Sequence, residues 1–147
     1  LASENDIKSF SMTGQRRDLN REKFKLDNLV SVLNNPESNA NKNIKYLGNA
    51  MDIRSKLEQF HPSSEMECLS KGRSDIVVIK RGKGPKSVFA IHNMTENKIN
   101  YQLDDYDLPE LIDNDFNMKD FLASTKYNWK NISLDPFQVI WLGSLMK

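Results

Sequence analysis

Two short helices followed by about six strands in hairpins predict an α+β chain whose larger part is an antiparallel β-sandwich or open barrel. Three observations carry this. Apolar residues recur at helical spacing between residues 26 and 60. Beyond residue 63 the pattern changes to β-branched runs and strict alternation. The breaks between those runs are short and hold Gly, Asn and Pro, as hairpin turns require.

The elements follow in order. Leu1 to Phe24 is polar and irregular, with a turn at Thr13-Gly14 and a knot of charge from Arg16 to Lys25. Leu26, Leu29, Val30 and Leu33 share one helical face, and Asn34-Asn35-Pro36 ends that helix. Asn39 to Asn43 reads as a polar linker. A longer helix is expected from Ile44 to Gln59, with a wide apolar side that includes Leu47, Met51, Leu57 and Phe60 and ends before Pro62. Strands are expected at Met66–Leu69, Asp75–Lys80, Ser87–His92 and along Ile99, Tyr101 and Leu103, where apolar and polar residues alternate. Arg81-Gly82-Lys83-Gly84-Pro85 is a hairpin loop. The acidic stretch after Asp104 reads mostly as loop. Further strands are expected at Asp120–Ser124 and Phe137–Leu142, the last entered through Pro136.

The 147 residues suffice for a hydrophobic core without a covalent staple. The 21 basic residues nearly balance the 20 acidic ones, so electrostatics argues against a nucleic-acid partner. No apolar run reaches membrane-spanning length, and no secretory leader is visible, so a cytoplasmic, membrane-free protein is expected. Cys68 lacks a partner within the chain and reads as a buried, reduced thiol. Two distant histidines and one cysteine make no metal site, and no cofactor is expected. His61 reads as a helix-end cation and His92 as a hydrogen-bonding strand residue. The acidic residues Asp104, Asp105, Asp107, Asp113 and Asp115 lack the glycine and spacing of a calcium loop. Asn93-Met94-Thr95 and Asn131-Ile132-Ser133 have sequon spacing, which only a secreted chain would use. Trp141 alternates with Val139 and Phe137 and reads as core, whereas Trp129 is left open between core and sugar-stacking surface.

The most specific stretch is Thr13-Gly14-Gln15-Arg16-Arg17-Asp18-Leu19-Asn20-Arg21. Arginine offers a rigid fork of donors suited to sugar hydroxyls, carboxylates and phosphates. A solvated loop is the plainer alternative. Preceded by Ser3-Glu4-Asn5-Asp6, this run resembles a loop of the sucrose phosphorylase and glucosylglycerate phosphorylase branch of the α-amylase clan. Val88-Phe89-Ala90-Ile91-His92-Asn93-Met94-Thr95 and Ile132 to Leu142 resemble late strands of the same group.

The resemblance implies a (β/α)8 barrel followed by a small β domain, with retaining chemistry run by carboxylates on barrel strands. None of the acidic residues here aligns with those carboxylates. Residues 1–62 would then be the end of the barrel, its last loop and terminal helices, and 63–147 the C-terminal β domain. By position, Arg17 would reach the glucosyl unit of the substrate. Arg21 and Asp18 would order the loop, and Asn5 and Asp6 would line the pocket. The implied partners are a glucoside and phosphate in the parent enzyme and the remainder of its barrel. Arg16 departs from the family's usual small residue and places an extra cation beside Arg17. The chain opens on Leu1 and in mid-motif, so a piece of a larger enzyme is expected, inactive alone and prone to self-associate through its helices.

Two other readings compete. A free-standing carbohydrate-binding module would display Trp129 near Tyr101, Tyr106 and Tyr127. An interaction module would display a large apolar patch on the helix from Ile44 to Phe60.

Overall fold

In the computed structural model residues 4–15, 25–104 and 117–144 are described. Compactness divides the chain between Leu47 and Gly48, inside its longest helix.

The first unit is helical. Helix α1 spans Glu4–Thr13, a stretch that composition reads as irregular. Ser11 Oγ donates to Ile7 O at 2.9 Å and Thr13 Oγ1 to Ser9 O at 3.0 Å, so polar side chains are satisfied on the helix itself. Gly14, at φ +66°, ends the helix, and its N–H reaches Phe10 O at 2.7 Å. Helix α2 spans Leu26–Asn34, where its spacing places it. Helix α3 spans Asn39–Lys56 and therefore includes the polar run expected as a linker. Ser38 is responsible: its Oγ accepts the Asn41 N–H at 3.1 Å, an N-terminal cap, while Asn41 Nδ2 donates to Leu33 O at 2.5 Å. Neither α2 nor α3 has a buried residue.

Among the described residues the second unit is an antiparallel β structure of eight strands, where about six are expected. They are β1 Met66–Cys68, β2 Ile76–Arg81, β3 Val88–Asn93, β4 Ile99–Tyr101, β5 Asn117–Asp120, β6 Lys126–Asn128, β7 Ile132–Leu134 and β8 Val139–Ser144. Six of them form one sheet in the order β1-β2-β3-β8-β5-β6, and β4 pairs with β7 in a second. Three-residue strands such as β6 and β7 are too short to show a periodicity. The expected strand at Asp120–Ser124 is displaced: β5 ends at Asp120, and a turn follows.

Register puts one set of side chains on the inner face. Val78 lies opposite Ile91, Ile91 opposite Ile140, and Phe89 opposite Leu142. This face and the small sheet share one core with Ile132, Leu134, Leu103, Met118 and Trp129. Burying each large apolar side chain contributes about 1.5–3 kcal/mol. In and just before β8 the buried large side chains are Ile140 and Leu142, not Phe137 and Trp141. Phe137 sits in the turn before β8 at φ +54° and is 66% exposed, so the alternation read from it points to the opposite face.

Two buried polar side chains close the turns. Asn93 Nδ2 donates to Asn97 O at 2.7 Å and to Asp135 O at 2.8 Å, and its Oδ1 accepts the Thr95 N–H at 2.9 Å. Asp120 Oδ1 accepts the N–H groups of Leu122 and Trp141, at 3.0 and 2.9 Å, and Oδ2 accepts that of Ala123 at 3.2 Å. Asp120→Ala would strand three backbone donors at a site that is 1% exposed. We expect a loss of about 3 kcal/mol, read as a lower urea midpoint of tryptophan fluorescence.

Candidate docking face

The most informative surface of the β unit is the outer face of its large sheet. Register aligns Val77, His92 and Val139 in one row, Ile79, Ala90 and Trp141 in the next, and Arg81, Val88 and Gly143 in a third. Val88 and Ala90 are 1% and 5% exposed, so β3 is buried on both faces. That differs from a half-solvated antiparallel sheet, whose outer face is polar.

The segment after α3 covers part of this face. A 3₁₀ turn at Glu58–Phe60 places the Phe60 ring 4.6 Å from that of Trp141, tilted by 43°. Arg81 fastens the same segment: Nε donates to Gln59 O at 3.0 Å and Nη2 to His61 O at 2.8 Å. Gly82 lies beneath it at φ +79°, where a Cβ would stand 2.9 Å from Gln59 Cγ. Phe121 covers Gly143, with Cζ only 2.6 Å from where a Cβ would be. The row Val77, His92, Val139 is only partly buried. Phe137, in the turn leading into β8, is exposed at the same end.

The helices add exposed apolar side chains of their own. Ile44, Tyr46, Leu47 and Met51 on α3 are half or more exposed, as is Leu26 on α2. Met51, Leu57 and Phe60 line an open concavity rimmed by Arg54 and His61.

The residues expected from sequence to bind substrate have no described side chains. Asn5 and Asp6 lie in the first turn of α1, not where a strand enters a loop, and their side chains are outside the described set. Arg16, Arg17, Asp18 and Arg21 lie outside the described residues. Among the described residues no three His, Cys, Asp or Glu side chains form a metal-binding group, and no helix is long and apolar enough to cross a membrane.

Other expectations are corrected. Cys68 is exposed, not buried, because β1 is an edge strand. The hydroxyl of Ser70, 3.5 Å away, and then its backbone N–H hold the thiol below its ordinary value. His61 does not cap a long helix, since α3 has already ended at Lys56; its Nδ1 contacts Ser63 Oγ at 2.6 Å. Trp129 is 4% exposed and belongs to the core, which removes the sugar-stacking platform. Of the two sequon asparagines, Asn93 is 2% exposed and fully engaged in the turn, while Asn131 is exposed.

Sequence reasoning missed Arg81, Asn93 and Asp120 as organising residues. The signals were slight: an Arg-Gly step at a strand end, and an Asn or Asp directly after an apolar strand, where side-chain turns form.

The chain thus has a mostly antiparallel α+β fold that it shares with part of several solved carbohydrate-active enzyme structures, an α-amylase among them. Three solved structures are among those it resembles. One is an Anoxybacillus α-amylase described as a new glycosyl hydrolase subclass (TM-score 0.57, 19% identity, 77% of this chain, 25% of that chain). The second is a MUTB mutant from crystals soaked with trehalulose (0.56, 13%, 77% and 19%). The third is the Bacillus licheniformis trehalose-6-phosphate hydrolase TreA (0.54, 16%, 78% and 20%). The likeness is one of fold. The chain spans about a fifth to a quarter of the length of these structures. No family model and no curated protein sequence matches it.

Arg81→Ala would release the segment that carries Phe60. We expect faster limited proteolysis between residues 57 and 64, with the buried Trp129 signal kept, and a stability loss of about 1–3 kcal/mol.

Proposed function

We propose that this chain is the C-terminal part of a retaining, glucosyl-transferring enzyme of the α-amylase clan, close to the sucrose phosphorylases. In this reading the chain holds none of the catalytic carboxylates. Its β unit buttresses a barrel, and its helices complete that barrel.

The observation that carries the reading is the fold, shared over about three-quarters of the chain with glycoside-hydrolase structures of much greater length. The exposed apolar faces of α2 and α3 support it, because such faces are stable when covered. The phosphorylase branch rests on sequence resemblance, in the run Arg16-Arg17-Asp18-Leu19-Asn20-Arg21 and in the strands Val88 to Thr95 and Ile132 to Leu142. Within that run Arg17 is the donor-site residue: its guanidinium would hold glucosyl hydroxyls while Asp18 and Arg21 set the loop. The neighbouring Arg16 would add positive charge on the side where phosphate arrives.

The reading is tested in the longer protein that contains this chain. Arg17→Ala should lower glucosyl transfer from sucrose to phosphate by about 100-fold or more, the scale of one charge-assisted contact to a reacting group. Thermal unfolding should stay unchanged. Arg16→Gly should chiefly raise the KM for phosphate. Full turnover in the Arg17→Ala protein removes the assignment. Hydrolysis of a glucoside without any use of phosphate keeps the clan and rejects the branch.

A further inference from the structure

His92 lies in the outer face of the large sheet, in register between Val77 of β2 and Val139 of β8, with Ala90 two residues earlier on its own strand. Its ring is half-buried and takes part in no hydrogen bond or ion pair among the described residues.

The charged and titratable groups around it are committed elsewhere. Asp75, just before β2, is held by Arg73 through Nε at 2.9 Å and Nη2 at 2.5 Å. Arg81, further along β2, is bound to the carbonyls of Gln59 and His61. On β8 the same face carries Val139 and Trp141, and on β1 Met66 and the Cys68 thiol, which lies near Ser70. Among the described residues the carboxylate of this face, Asp75, is bonded to Arg73 and makes no contact with the His92 ring.

We propose that His92 is a proton-sensitive element of the fold, and that charging its ring loosens the β unit. An imidazolium between two valines loses water and gains no acceptor in return. Burial accordingly holds the ring below its ordinary value. The sign follows from linkage. The folded state resists the proton that the unfolded chain accepts near pH 6.5, so stability is intact above that value and is lost as the pH falls through the lower folded-state value. Acidification into the range where histidines titrate would therefore weaken β3 at the centre of the sheet, together with the face beside it.

The test uses the full 147-residue chain. Urea unfolding is followed by tryptophan fluorescence, which reports the β unit, at about pH 5 and about pH 7.5. The wild-type midpoint should fall on acidification, and in His92→Leu the fall should be less than half as large. The imidazole proton of His92, assigned by its absence in His92→Leu or by elimination with His61→Gln, should titrate below the free-histidine value of about 6.5. An undiminished midpoint shift in a folded His92→Leu chain overturns the proposal, as does a ring that titrates at or above that value. If His92→Leu does not fold, the wild-type titration decides by itself. The result is independent of what enzyme the chain belongs to.

Discussion

The pairing of β3 with its two neighbours is the constraint on which the rest of the β unit hangs. β3 is buried at Val88, Phe89, Ala90 and Ile91 in succession. A strand with apolar residues on both faces must be covered on both. Its inner side is met by the small sheet of β4 and β7 through the shared core. Its outer side is met in part by the segment that follows α3. A slip of one residue against β8 would exchange Phe89 and Ile91 for Ala90 and His92 at the core, and the core would lose its largest fully buried side chain.

That outer cover explains why several otherwise unremarkable residues sit where they do. Gly82 and Gly143 are the places where a backbone passes beneath a side chain. Arg81 turns a sheet residue into a clamp for two carbonyls of a passing segment, satisfying backbone oxygens that have no strand partner. Through Phe60 and Trp141 the turn that follows α3 is stitched to the sheet.

Much of this was legible in the sequence, and the exceptions have physical causes. Ile76 to Arg81 and Val88 to Asn93 are long β-branched or apolar runs, and their strands appear within a residue or two of where pattern places them. β6 and β7 hold three residues each, too few for a period. Helix α3 starts early because a serine cap outweighs a run of asparagines. Phe137 misled the assignment of Trp141, since a left-handed turn residue breaks the alternation that the eye extends across it. The candidate surfaces were unevenly visible: the wide apolar stripe on α3 was plain, but the outer face of the sheet is made by register, which no single segment encodes. The arginine loop was recognised through resemblance, and its residues lie outside those described.

The margins of the large sheet have a consequence of their own. β1 and β6, at its two ends, are only three residues long and carry Glu67 and Lys126. Short, charged borders offer an incoming strand few hydrogen bonds and a like-charge penalty when identical chains align. Fibrillar growth by strand addition is thereby discouraged. The sticky surface of α2 and α3 has no such guard, so when this chain is handled at high concentration its aggregates should be amorphous and detergent-sensitive and not cross-β.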